Sequence, residues 1–365
     1  MPHRSRVAPD LIARASALVA KQQRDEDARI RAFGQVRPIM FTPAFGEQLV
    51  AVRNEIFKVP EKSTFTNFLF NHGLHRLGDA WLEAQNRHPL TEQHPLFILH
   101  GQAMEFVNQQ PRKPEGHVCV VPNGPLSFCE RFYYDLYIVD DNNMLDADLL
   151  HRLRNREKFQ GAMHELFVEA TCLRAGFRII REVHAGPKPR NVEFIAVHNA
   201  TQQHIAVEAK SRHRDGVLGI PGERDDHADT RFGKLINNAA SKDPNNPLAI
   251  FVDTNLPIGE AEDFYRPVSL DPVLLSEQIS SVAERVRLPD GRDPYNLLVF
   301  TNHPQHYAEG RRAGSQDRWA AIISPNPRVQ LFHESALKDL MKALDLYGNV
   351  PTDFPKLIPN TNIPA

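Results

Sequence analysis

The chain has 365 residues, more than one compact core usually holds, so its length predicts two structural units. Its 43 Lys and Arg nearly balance 45 Asp and Glu, which excludes a nucleic-acid binder that relies on positive charge over its whole surface and leaves only a local patch for a polyanion. Three cysteines without a CxxC pair exclude a disulfide scaffold and a cysteine-rich zinc finger, and they indicate a reducing compartment.

The first part of the chain, 1–145, predicts a mainly helical α+β domain of unassigned role. Helical patterns run from Pro9 to about Phe33, through GEQLVAVRNEIF and through FTNFLFNHGLHRLGDAWLEAQNRH, whereas HVCVV and FYYDLYIV are strand-like. The apolar stretch LIARASALVAK is interrupted by Arg14 and is too short to span a bilayer, so we expect a soluble, cytoplasmic protein with no membrane partner. The turn-rich DDNNM marks the expected boundary, and recognition, regulation or oligomerisation are the roles open to this domain.

The next part, 150–335, predicts helices and strands that alternate around a mixed sheet. One amphipathic helix spans KFQGAMHELFVEATCLRAG and stops at Gly176. Strands FRIIREV, VEFIAVH and HIAVEAK follow, then a helix over DTRFGKLINNAASK and the apolar strand LAIFVD, which gives the order α-β-β-β-α-β. A helix over VLLSEQISSVAERV and the strands NLLVFTN and WAAIISP come next, and 336–365 holds a closing helix and a Pro-rich tail.

Two carboxylates are predicted to face each other across the second and third of these strands. With a four-residue loop, His198 pairs with Gln203. Glu193 then lies opposite Glu208, and a five-residue loop still leaves the two acids within diagonal reach. Opposed like charges destabilise a sheet unless a cation or protons lie between them, and hard oxygen ligands suit magnesium or manganese. Lys210, two residues after Glu208, shares the face of that carboxylate.

A third acid, Glu165, lies at the border of the apolar stripe of the preceding helix, where an unpaired carboxylate would be costly to bury. If that helix packs on the sheet beside the hairpin, Glu165 can reach the site of the two acids. An ion pair with Arg174 or Arg181 is the structural alternative. Glu169, one turn later, is expected to be a solvated charge.

These features, from KFQGAM to LAIFVD, resemble the PD-(D/E)XK superfamily, the restriction-endonuclease-like nucleases. The resemblance implies a restriction-endonuclease-like core in which Glu193 and Glu208, helped by the Ala209 carbonyl, ligate Mg²⁺, with Mn²⁺ as an alternative ion. It further implies that Lys210 orients or activates the attacking water and that Glu165 acts through the outer shell of the metal. The superfamily usually has Asp where this chain has Glu193, and the extra methylene can shift the metal.

Four cationic side chains flank the motif and are the predicted contacts with nucleic-acid phosphates: Arg212, Arg214, Arg231 and Lys234. The resemblance implies a divalent-metal-dependent endonuclease that hydrolyses phosphodiester bonds, with DNA as its partner, in restriction, anti-phage defence or DNA repair. A double-strand cut would favour a homodimer, because one active site cuts one strand at a time. The alternative, from a different class, is a nuclease-fold module without catalysis that binds nucleic acid or serves in assembly.

Overall fold

A computed structural model describes residues 9–112, 118–181, 192–220, 222, 232–242, 245–255, 286–308 and 318–355. Its α-helices are α1 (Pro9–Phe33), α2 (Phe65–Leu77), α3 (Asp79–Arg87), α4 (Pro95–Asn108), α5 (Gly124–Asp141), α6 (Ala147–Arg154), α7 (Phe159–Arg174), α8 (Gly233–Ala240) and α9 (Glu334–Asp345). Its strands are β1 (Met40–Ala44), β2 (Glu47–Val52), β3 (Glu55–Pro60), β4 (Phe177–Ile180), β5 (Phe194–His198), β6 (His204–Ser211), β7 (Leu248–Asp253), β8 (Leu297–Asn302) and β9 (Arg318–Ile323).

The protein has a mixed α/β architecture built on a six-stranded sheet with the strand order β4-β5-β6-β7-β8-β9. Strands β4, β5 and β6 are antiparallel, β6, β7 and β8 are parallel, and β9 returns antiparallel to β8. Every residue of β7 and β8 is buried, because parallel strands at the centre of such a sheet are covered on both faces. The predicted order α-β-β-β-α-β is observed from α7 to β7.

The two faces of this sheet belong to two hydrophobic clusters. On β6, Ile205 and Val207 point into the larger cluster, which contains the buried side chains of α5, α7 and α9. Ala206, between them, points into the smaller cluster with Ile236 of α8. Since side chains alternate along a strand, β6 places its even-numbered residues under α8 and its odd-numbered residues under α7.

Helix α5 corrects the prediction that FYYDLYIV forms a strand. The side-chain oxygen of Asn123 accepts a hydrogen bond from the backbone N–H of Leu126 and begins the helix, and Pro125 lies in the first turn. Nearly every residue of α5 is buried, since the helix packs against α2, α4 and α7. A helix enclosed on all sides lacks the polar stripe that would distinguish it from a buried strand, and its aromatic residues favoured the wrong interpretation.

The segment GEQLVAVRNEIF also differs from its prediction, because it forms the β2–β3 hairpin rather than a helix. Val50 and Val52 are buried on one face of β2, and Arg53 at the turn has a φ of 55°. The predicted helix over 65–88 is two helices, because Gly78, with a φ of 87°, ends α2 and precedes α3. The described part of HVCVV makes only an isolated bridge, from Val118 to Arg112.

The larger cluster is continuous across the predicted boundary near residue 145, because α5 packs against α7 and α7 packs against α9. The division into 1–145, 150–335 and 336–365 stays a prediction. The predicted helix over 273–286 lies almost wholly outside the described residues. Among the described helices, none is both long and apolar enough to cross a membrane.

We predict that Gly73→Ala destabilises the fold, because a Cβ built at Gly73 of α2 would lie 2.0 Å from Cδ1 of the buried Tyr133 of α5. Overpacking of this kind costs about 1–3 kcal/mol in the free energy of unfolding, which urea denaturation would measure. The matched control is Gly101→Ala in the exposed part of α4, where a Cβ meets nothing within 4 Å. For Gly101→Ala we expect the free energy of unfolding to rise by about 0.5–1 kcal/mol. Equal effects of the two changes would contradict the packing between α2 and α5.

Candidate functional site

The β5–β6 hairpin has the register that the four-residue loop predicts. The backbone N–H of His198 donates to the carbonyl of Gln203 over 2.9 Å, and Phe194 pairs with Val207. Glu193, one residue before β5, donates its backbone N–H to the Val207 carbonyl over 3.1 Å. This contact brings the Glu193 side chain next to Glu208, whose side chain points to the α8 face of the sheet together with Ala206.

Both carboxylates converge on the ammonium group of Lys210. Its Nζ lies 3.2 Å from Oε1 of Glu193 and 3.0 Å from Oε2 of Glu208. A second ammonium group comes from Lys242, two residues after the end of α8; its Nζ contacts Oε1 of Glu208 and lies 3.9 Å from Oε1 of Glu193. The side chain of Glu208 is 0% exposed, whereas those of Glu193, Lys210 and Lys242 are 29%, 20% and 23% exposed. The site is therefore closed at Glu208 and open to solvent at its other three members.

The two acids titrate differently. Burial is the main cause that raises the pKa of Glu208 to about 7, and the neighbouring Glu193 carboxylate adds to it. Lys210 and Lys242 act in the opposite direction but do not cancel this rise. Burial also acts to raise the pKa of Glu193, but Lys210 and Lys242 outweigh it and hold that pKa below its ordinary value. Burial acts to lower the pKa of Lys210, but the two carboxylates have a larger, opposite effect. The pKa of Lys210 therefore lies above its ordinary value. Glu193 and Lys210 are thus charged at neutral pH, and Glu208 is the acid of the pair that is harder to ionise.

Glu165 is not brought together with the other three predicted residues. It lies on α7, which packs on the opposite face of the sheet, against the odd-numbered side chains of β6. Its carboxylate forms a bidentate ion pair with Arg152, with Nη2–Oε1 at 2.9 Å, and lies 3.9 Å from Nη1 of Arg181. The main partner of Glu165 is therefore Arg152, which the sequence did not predict, and Arg181, one of the two predicted alternatives, adds a longer contact. The role of Glu165 in the outer shell of a metal stays a prediction.

Glu169 is buried rather than solvated, which corrects its prediction. Its Oε1 accepts a hydrogen bond of 2.6 Å from Arg181, which also pairs with Asp146 over 3.0 Å. Burial raises the pKa of Glu169 to about 8 against the opposing charge of Arg181. This cluster ties α6, α7 and the end of β4 together and lies apart from the two opposed acids.

The predicted phosphate contacts differ in their exposure to solvent. Lys234 is exposed on α8, and Arg212 is half-buried after β6. Arg214 is buried and donates to the Asn255 carbonyl over 3.3 Å, so it is not on the surface where a phosphate would reach it. Arg231 lies outside the described residues.

Lys242 is the member of the site that the sequence reasoning missed. The predicted helix DTRFGKLINNAASK contains it, but the predicted phosphate contacts Arg231 and Lys234 lie near the start of that helix. The helix connects β6 to the parallel strand β7 and packs on both of them. A lysine at the end of such a crossover returns to the sheet face that holds Glu208, and this placement was the available signal.

The donor set of the site fits a divalent cation. Glu193 and Glu208 supply hard carboxylate oxygens, and the Ala209 carbonyl stays the predicted third ligand. Oε1 of Glu208 is buried and is contacted by the ammonium group of Lys242, so this oxygen already lies against a cation. Within the described ranges no group of three or more His, Cys, Asp or Glu side chains could hold a metal. Magnesium is commonly bound through one or two carboxylates together with water and substrate.

Comparison with known proteins leaves the family open, because no protein-family model matches the sequence and no curated protein is significantly similar to it.

We predict that Glu169→Gln changes how stability depends on pH. The folded pKa of Glu169, about 8, lies above its ordinary value of 4.5, so its contribution to stability is present below pH 4.5 and is lost as the pH rises to about 8. The parent should lose free energy of unfolding relative to the variant across this window, by at most about 1.4 kcal/mol per pH unit. Urea denaturation of both proteins at several pH values measures the difference.

The exposed Glu83→Gln on α3 serves as the matched control. Its stability should run parallel to that of the parent at every pH. A Glu169→Gln curve that also runs parallel to the parent would contradict the raised pKa.

Proposed function

We propose that this protein is a divalent-metal-dependent nuclease that hydrolyses phosphodiester bonds, with DNA as its substrate. The observation that carries the proposal is the convergence of Glu193 and Glu208, from neighbouring strands, on Lys210 in a site that is open to solvent on one side. Two carboxylates and a lysine on one sheet face are a set that can hold a hard cation and present a cationic group to a phosphate. The element order around them supports the finer proposal of a restriction-endonuclease-like core.

Each residue has a part in this reaction. Glu193 and Glu208 would hold the ion, with the Ala209 carbonyl as the third protein ligand. A bound magnesium ion supplies charge stabilisation at the phosphate and lowers the pKa of water. Lys210 is held within 3.2 Å of both acids, so its ammonium group can donate a hydrogen bond to the attacking water or to a phosphate oxygen. Burial of Glu208 fixes its carboxylate against the sheet and keeps the geometry of the site rigid.

Nucleic acid suits the charge distribution near the site. The chain as a whole has a formal net charge of −2, so attraction of a polyanion has to be local. Lys210, Lys242 and the exposed Lys234 lie on or around the sheet face that carries the acids. Restriction, anti-phage defence and DNA repair all use this chemistry in the cytoplasm, and a double-strand cut would require two copies of the chain.

A second candidate is a nuclease-fold module without catalysis that binds nucleic acid or serves in assembly. The observation in its favour is the charge balance of the site, in which two ammonium groups lie against two carboxylates. Such a network can stabilise the packing of α8 on β6 and need have no chemical role.

Cleavage assays with the full-length protein separate the two candidates. The substrates are supercoiled plasmid, linear single-stranded DNA and RNA, each with Mg²⁺ or Mn²⁺. We predict that Glu208→Gln and Lys210→Met each reduce cleavage by about 100-fold or more, because each removes a group from the reacting site. The control variants Glu83→Gln and Lys58→Met change exposed side chains far from the site and should cleave as the parent does.

Two results would decide against the nuclease. Cleavage by Glu208→Gln and Lys210→Met at the rate of the parent would reject the site. Binding of nucleic acid by the parent without cleavage of any substrate under either ion would favour the module without catalysis.

A further inference from the structure

We propose that Lys242 is an internal counter-cation, which holds the position of the divalent ion against Glu208 in the metal-free protein and leaves it when the ion binds. The inference rests on the proposed metal-dependent function. It adds a competition between Lys242 and the divalent ion for Glu208, and this competition sets the affinity of the site for the ion. Lys242 is a positioning residue here, because it acts through the carboxylates that hold the ion.

The contacts of Glu208 assign different tasks to the two lysines. Lys210 donates a well-formed hydrogen bond to Oε2, over 3.0 Å, and reaches Glu193 as well. Lys242 contacts Oε1, the oxygen that Lys210 does not hold. Another cation of higher charge can therefore replace Lys242 at Oε1 while the hydrogen bond from Lys210 to Oε2 stays in place.

The charges require one ammonium group to leave. Two carboxylates and two ammonium groups balance, so a divalent ion that entered this arrangement would meet two positive charges within a few ångströms. Removal of one ammonium group relieves that repulsion and frees Oε1 of Glu208 at the same time.

Lys242 is the group that is free to move. Lys210 lies within β6, where backbone pairing with β7 fixes its position. Lys242 lies in no strand, since it follows the end of α8, and its four-carbon stem can turn the ammonium group into solvent. In that position the ammonium group stays at the open side of the site, where it can pair with a phosphate of the substrate.

Titration of Mn²⁺ into the full-length protein, without nucleic acid, tests the inference. Calorimetry would compare the parent with Lys242→Met, Lys242→Arg and Lys338→Met, which removes the same charge from the exposed face of α9. We expect Lys242→Met to bind Mn²⁺ about tenfold more tightly or better, because the ion no longer competes with an ammonium group. Lys242→Arg and Lys338→Met should bind as the parent does, and Glu208→Gln added to Lys242→Met should abolish the tight binding.

If folded Lys242→Met binds Mn²⁺ as tightly as the parent or more weakly, the assignment of Lys242 as a counter-cation is wrong. If the parent nevertheless cleaves DNA in a reaction that needs Glu208, the proposed nuclease stands and this inference alone fails. If neither the parent nor Lys242→Met binds Mn²⁺, the counter-cation fails, and the cleavage assays decide the nuclease separately. Tight binding by Lys242→Met together with no cleavage by the parent keeps the counter-cation and rejects the nuclease.

Discussion

Strand β6 has to satisfy two hydrophobic cores at once, and the placement of the neighbouring charges depends on this constraint. Its odd-numbered residues pack under α7, so its even-numbered residues must point toward α8. Glu208 and Lys210 are even-numbered, and they lie where α8 ends and leaves room for polar groups. A slip of one residue in the pairing with β5 would send both charges into the larger core, so the cost of burying them holds the register.

The opposed acids could be predicted because they depend only on local rules. The length of the hairpin loop sets the pairing of β5 with β6, and alternation places Lys210 beside Glu208. The position of Glu165 could not be predicted in this way. Helical periodicity shows that a side chain lies at the border of an apolar stripe, but it does not show which face of a sheet the helix will cover. The contact of Lys242 is likewise tertiary, because it depends on how α8 crosses from β6 to β7.

Two charged clusters in the described part of the chain contain a buried glutamate with a raised pKa. Glu169 accepts a hydrogen bond from Arg181, whose side chain is 26% exposed. Glu208 is equally enclosed, and its partners Glu193 and Lys210 are exposed to a similar extent. Neither a raised pKa nor solvent access to its partners therefore identifies a reacting group in this protein. The convergence of two carboxylates from neighbouring strands on one lysine separates the candidate site from the arginine-bound cluster.

Helix α5 is enclosed by other helices, and this limits how water can reach its backbone. Its backbone amides can reach water only if α2, α4 and α7 move away from it, because these helices surround it. Separation of that kind would disrupt the larger core, which also supports one face of the sheet. Hydrogen exchange at α5 should therefore be limited by global unfolding rather than by local fluctuation, and the N-terminal helices and the sheet should lose their protection together.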